Sequence, residues 1–167
     1  MSLTLVLGGA RSGKSRHAEE RIERLAPPWS YIATGAAYDG EMAARIALHR
    51  ARRGTGWDTV DAPHELAGAV RALPAGRPAL VDCLTLWLTN RMLAEADIEA
   101  ESAALVEALA GRDGPTFVVS NETGLGIVPD NALARRFRDA QGRLNQMVAA
   151  RADEVIFMVA GLPMKVK

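Results

Sequence analysis

Gly8, Gly9, Ala10, Arg11, Ser12, Gly13, Lys14 and Ser15 complete the pattern G-x-x-x-x-G-K-[ST]. They follow the apolar run Leu3-Thr4-Leu5-Val6-Leu7 and precede a helical stretch, the context in which this pattern cradles a nucleoside triphosphate. Glycines let backbone N–H groups approach the β-phosphate, and a helix starting near Gly13 points its positive end at the anion. Lys14 adds a mobile charge, and Ser15 is the expected Mg2+ ligand. A chance glycine turn between strand and helix is the alternative, and the four fixed positions with both flanks argue against it.

A second element is Ala79-Leu80-Val81-Asp82, an apolar strand ending in an acid. Phosphate-loop proteins place there the carboxylate that orients Mg2+ and its water, although an apolar run followed by Asp also arises by accident. A third is the 41–53 stretch, EMAARIALHRARR. On a helix, Arg45, His49 and Arg52 share an arc of roughly 60°. Guanidinium neighbours disfavour imidazolium and would stabilise a phosphoryl oxyanion, so a neutral His49 there could attack phosphorus. A solvated basic helix face accounts for the same spacing, and Met42 and Ile46 lie close to the arc. The glycine-rich stretch 121–129, NETGLGIVP, follows a candidate strand, where α/β enzymes carry substrate contacts. His17 and His64 read as packing or capping residues. Three scattered histidines and one cysteine give no zinc-ligand spacing.

Short apolar runs alternate with helical stretches and supply the frame for these groups. Strands are expected at 3–7, 29–33, around 59–60, at 79–82, 116–120 and 155–159, and helices at 14–25, 41–52, 64–73, 84–92, around 100–110 and at 131–151. The alternation predicts an α/β fold with a mostly parallel central sheet flanked by helices on both faces. In the last helix Leu133, Phe137, Ala140, Leu144 and Met147 form a stripe expected to be core.

The 167 residues, 49% hydrophobic, fit one domain spanning 1–167. Twenty basic residues cancel 20 acidic ones, so no global charge footprint calls for nucleic acid or an anionic membrane. Cys83 is the sole cysteine and cannot form an intrachain disulfide. No apolar run approaches a membrane span, and no signal peptide precedes the first strand, so a cytoplasmic location is expected.

The stretches GGARSGKSRHAE, Tyr31-Ile32-Ala33-Thr34, EMAARI-x-x-H, NE-x-G-x-GIVP and Ala152-Asp153-Glu154-Val155 together resemble the bifunctional adenosylcobinamide kinase/adenosylcobinamide-phosphate guanylyltransferases of cobalamin biosynthesis, nearly end to end. The resemblance implies a RecA-like P-loop fold, commonly a homotrimer. It implies phosphorylation of the aminopropanol hydroxyl of adenosylcobinamide with ATP or GTP, then transfer of GMP from GTP to that phosphate. By the same matching, His49 forms the GMP-histidine intermediate and is catalytic together with Lys14. The nucleotide site would comprise residues 8–15, Ala33, Thr34, Gly35, Arg50, Ala51, Arg52, Arg53, Asp61 and Asp82, with Mg2+ on Ser15 and Asp82. Asp61 and Asp82 stand where family members often or sometimes carry glutamate, which keeps the charge and shortens the reach.

Other classes share parts of this pattern. A GTPase switch would need an Asn-Lys-x-Asp guanine reader, which Asn121-Glu122-Thr123-Gly124 does not supply. A RecA-like motor or assembly ATPase would share the sheet, but no nucleic-acid-binding extension is evident. A simple small-molecule kinase keeps every element except the role of His49.

Overall fold

The computed structural model describes residues 2–36, 40 and 54–167. Seven strands form one sheet: β1 (Ser2–Gly8), β2 (Trp29–Ala33), β3 (Trp57–Asp61), β4 (Ala79–Asp82), β5 (Pro115–Asn121), β6 (Glu154–Val159) and β7 (Leu162–Lys165). The described helices are α1 (Lys14–Ile22), α2 (Leu66–Ala72), α3 (Leu84–Leu93), α4 (Ile98–Ala110) and α5 (Ala132–Arg151). The strand order is β3-β2-β4-β5-β1-β6-β7. All neighbours pair in parallel except β6 and β7. The expected helix at 41–52 lies outside the described residues.

Side chains alternate across a strand, so each strand feeds two cores. Leu3, Leu5, Ile32, Val81 and Val118 point to the face covered by α2 to α5, where they meet Leu66, Trp87, Leu105, Leu109 and Leu144. Val6, Tyr31, Leu80, Phe117 and Ile156 point to the other face and pack on Ala18 and Ile22 of α1. Helices therefore cover both faces, as the alternation predicted. Burial from both sides explains why these strands read as continuous apolar runs.

Three sequence expectations are corrected in detail. Helix α1 stops at Ile22, three residues before the expected end at 25, ahead of the Pro27-Pro28 pair that cannot continue a helix. In α5 the covered arc runs through Ala140, Gln141, Leu144, Asn145 and Val148, all beyond the first two turns, whereas Leu133 in the first turn is 54% exposed. Strand β7 was not foreseen. Ala160 (φ 51°) and Gly161 (φ 83°) form a two-residue turn between the paired Val159 and Leu162, the left-handed geometry that returns a strand alongside its neighbour. Pro163 argues against a strand from sequence, but an edge strand tolerates its missing N–H.

Candidate functional site

The six parallel strands end along one edge, and the predicted phosphate loop leaves it from β1. Its geometry explains its residue types. A Cβ on Gly8 would lie 2.7 Å from the Met158 carbonyl oxygen and 2.7 Å from Ser12 Oγ, so the loop closes only over glycine here. Gly13 precedes α1 at φ 93°, a left-handed conformation that turns the chain into the helix. The first turn of α1 thereby presents unpaired backbone N–H groups to the loop. Ser12 Oγ is buried with no hydrogen-bond partner, an unspent donor inside the cradle. The loop thus fits an anion.

Lys14 is buried at 7% exposure, and its Nζ donates to the Gly9 carbonyl at 2.6 Å. Burial lowers its pKa from the usual lysine value, while Cys83 and Asp82 act in the opposite direction. The Cys83 thiol is itself pushed up to about 12 by burial, so at neutral pH the Asp82 carboxylate is the charge that supports the Lys14 ammonium. Asp82 ends β4 and accepts a hydrogen bond from the buried Tyr31 hydroxyl at 3.0 Å through Oδ2. A serine hydroxyl and a carboxylate are hard oxygen donors of the kind Mg2+ takes, so Ser15 and Asp82 fit that ion. Among the described residues no group of three or more His, Cys, Asp or Glu side chains could hold a metal by itself.

The other predicted residues divide. Ala33 ends β2 and Thr34 and Gly35 follow it, so all three do lie at the carboxyl edge. The Thr34 side chain is fully buried and already committed: Oγ1 donates to the Cys83 carbonyl at 2.6 Å and accepts from the Cys83 N–H at 2.7 Å. Its hydroxyl locks β2 to β4 behind Asp82. Asp61 ends β3, the outermost strand, and three strands separate it from β1. At strand spacing that is about 19 Å, so Asp61 stands away from the phosphates. His49, Arg50, Ala51, Arg52 and Arg53 lie outside the described residues. His17 is half-buried with Nε2 unpartnered, whereas His64 is exposed, its Nδ1 3.4 Å from Arg91 Nη1 while its backbone carbonyl accepts from Trp87 Nε1.

Sequence reasoning missed the polar residues that hold this edge in place. Asn90 of α3, 2% exposed, donates from Nδ2 to the Thr34 carbonyl at 2.8 Å and the Pro63 carbonyl at 2.9 Å, joining the chain after β2 to that after β3. Gln141, Asn145 and Ser120 form a buried cluster under the end of β5. The one available signal was polar side chains on otherwise apolar helix faces.

The family of cobinamide kinase / cobinamide phosphate guanyltransferase matches residues 4–166. The bifunctional adenosylcobalamin biosynthesis protein CobP of Pseudomonas aeruginosa is 52% identical over 166 residues, covering 98% of this chain and 96% of that protein. CobU of Salmonella typhimurium, with the same description, is 41% identical over 181 residues, covering 99% of each. Among solved structures, a Pyrococcus horikoshii protein superposes with TM-score 0.57 at 10% identity, covering 99% of this chain and 86% of that one. An ATPase from the type III secretion system of pathogenic bacteria superposes with TM-score 0.56 at 11% identity, covering 98% and 56%. Those two likenesses establish the P-loop fold alone, and the full-length matches go further: the chain belongs to the cobinamide kinase / cobinamide phosphate guanyltransferase family.

Proposed function

We propose that this chain, acting as one catalytic domain, phosphorylates adenosylcobinamide and then guanylylates the product in cobalamin biosynthesis. The observation that carries the reading is the family match from residue 4 to 166, joined to a phosphate loop whose buried Ser12 Oγ and Lys14 are arranged for an anion. In the kinase step the aminopropanol hydroxyl oxygen bonds to the γ-phosphorus of ATP or GTP, the bond to the bridging oxygen breaks, and the nucleoside diphosphate leaves. Lys14 moves from the Gly9 carbonyl to the phosphates, and the α1 N-terminus holds their charge. Mg2+ at Ser15 and Asp82 would neutralise charge developing on the phosphate oxygens.

In the second step His49 Nε2 or Nδ1 attacks the α-phosphorus of GTP and pyrophosphate leaves. The phosphate of adenosylcobinamide phosphate then displaces histidine from phosphorus, giving adenosylcobinamide-GDP. Arg50, Arg52 and Arg53 supply cations beside that phosphorus, with Ala51 contributing backbone. Asp61, far from the phosphates, is assigned to the nucleoside end. Exposed Leu125, Ile127 and Val128 in the loop after β5 offer apolar contact to the corrinoid. A homotrimer with the corrinoid between subunits follows from the family resemblance, and light scattering measures it.

Incubation with Mg2+ and GTP labelled at the α-phosphate, followed by denaturing electrophoresis, tests the covalent step. Wild type acquires an acid-labile, alkali-stable label, and His49→Ala acquires none while still phosphorylating adenosylcobinamide. Equal labelling of both proteins would remove His49 from the mechanism.

A further inference from the structure

The kinase step needs an acceptor for the hydroxyl proton, and the carboxyl edge offers few. Asp82 is engaged by Tyr31 and assigned to Mg2+. The described residues that immediately follow β1 and β6 carry no acid, as Gly9, Ala10, Arg11, Ala160 and Gly161 show. The chain leaving β5 carries one, Glu122. We propose that Glu122 is a catalytic residue of the phosphorylation step, taking the proton of the attacking hydroxyl. The proposal rests on the reading of the phosphate loop as the site of the phosphoryl donor.

Placement is the first argument. Strand β5 lies between β1 and β4, paired so that Asn121 is level with Gly8 and Val119 with Asp82. Glu122 therefore emerges one residue beyond the phosphate loop's own starting level, with that loop on one side and Asp82 on the other. Its N–H donates to the Gly8 carbonyl at 3.1 Å, which ties its backbone directly to the first residue of the loop.

Rigidity is the second. The Asn121 N–H donates to Thr85 Oγ1 at 2.9 Å, and the Asn121 carbonyl accepts from Asn145 Nδ2 at 3.0 Å. Asn145 Oδ1 in turn accepts from Ser120 Oγ at 2.7 Å and from Gln141 Nε2 at 3.0 Å. Ser120 and Gln141 are fully buried and Asn145 is 4% exposed. Of these three buried side chains only Gln141 Oε1 is left without a partner, and through Asn145 the cluster holds the backbone that launches Glu122.

The carboxylate itself is the third. Oε1 accepts the Gly124 N–H at 3.0 Å, which fixes the group's direction. Among the described residues Oε2 has no partner, and no lysine or arginine forms an ion pair with the side chain. A half-buried, oriented carboxylate with a spare oxygen, its backbone bonded to the first residue of the phosphate loop, is equipped to accept a proton from a hydroxyl held there. The balance is simple. The hydroxyl oxygen forms the bond to the γ-phosphorus, the leaving diphosphate takes the electron pair of the broken bond, and the proton passes to Oε2 and then to water.

Glu122→Gln tests this because the amide oxygen still accepts from Gly124 and cannot take the proton. The full-length variant is assayed with ATP and adenosylcobinamide, and for label uptake from α-labelled GTP. The expected result is a fall of about 10²–10³-fold in kinase kcat, with KM for ATP within about threefold and loss of the ascending limb of the pH profile. Labelling by GTP stays at the wild-type level, and Glu122→Asp recovers part of kcat together with the pH limb. Kinase kcat within about threefold of wild type overturns the proposal, as does an equal fall in both activities. Lys14→Ala, run in parallel, separates the two readings. If it keeps full kinase activity, the phosphate-loop reading fails and the proposal with it; if it is inactive while Glu122→Gln is not, only the proposal fails.

Discussion

Thr34→Val removes one hydroxyl at nearly constant volume, and the structure says where the cost falls. Thr34 Oγ1 serves both polar groups of Cys83, donating to its carbonyl at 2.6 Å and accepting from its N–H at 2.7 Å. The two losses are unequal. The Cys83 carbonyl keeps a bond from the Trp87 N–H at 3.3 Å, whereas the Cys83 N–H, in a residue 8% exposed, has no substitute. Leaving one buried donor unsatisfied costs about 1–3 kcal/mol, and weakening the carbonyl adds about 0.5 kcal/mol. For a chain of this size each kcal/mol moves Tm by roughly 2–4 °C, so a fall of about 3–14 °C is expected in a thermal melt. Thr34→Ser keeps the oxygen and loses only a methyl group, at about 1 kcal/mol. The same bond ties β2 to the residue after Asp82, so the valine variant also needs more Mg2+ for half-maximal kinase activity, and the serine variant does not. A valine variant as stable as wild type within about 0.5 kcal/mol, with an unchanged Mg2+ requirement, would refute the claim that this hydroxyl holds the strand ends together.

Tyr31→Phe removes the hydroxyl that donates to Asp82 Oδ2 at 3.0 Å and leaves the ring in its core. The Mg2+ concentration giving half-maximal kinase rate should rise several-fold with little change in Tm; an unaltered Mg2+ titration counts against the assigned role of Asp82. His17 provides a pH test. Burial and the Arg21 guanidinium lower its pKa from 6.5, so below that pH the unfolded chain takes up a proton that the folded chain refuses. Folding stability is therefore highest above pH 6.5 and falls as pH drops through it, and His17→Gln should flatten that decline in urea titrations at successive pH values.

What was legible in the sequence was whatever is encoded locally. The phosphate loop is a strand, a turn and a helix start within about fifteen residues, and each position has its own steric or electrostatic reason. The parallel sheet was legible because strands buried on both faces must be apolar throughout. Strand β7 was not, since its four residues are all exposed and one is proline; only its pairing with β6 makes it a strand. Thr34 illustrates a different gap. Family resemblance placed it at the nucleotide, and it does stand at the right edge, but its hydroxyl is spent on Cys83, a partner 49 residues away. No spacing rule reveals such a pairing before the strand order is known. The same applies to Asn90, Gln141 and Asn145, which sequence patterns score as interruptions of an apolar face.

Those interruptions bear on how a rigid protein presents a reactive edge. Buried polar side chains cost stability unless every group is paired, so a cluster maintained beneath a strand end must return something in position. Here the returns converge. Asn145 fixes Asn121, Thr34 fixes Cys83, and Asn90 fixes the chains leaving β2 and β3, while Ser12 Oγ, Thr123 Oγ1 and Glu122 Oε2, without partners among the described residues, belong to the loops that leave the edge. Orphaned atoms alone do not mark a site, since Arg112 Nε is equally unpartnered at the opposite edge, where the rest of its guanidinium braces the carbonyls of Pro74, Arg77 and Pro115. What distinguishes the carboxyl edge is a buried network below, paired except at Gln141 Oε1, that bonds directly to the backbone from which the unpartnered groups above project. An edge built that way holds its donors and acceptors still before any phosphate arrives, which is the condition for electrostatic stabilisation without reorganisation during the reaction.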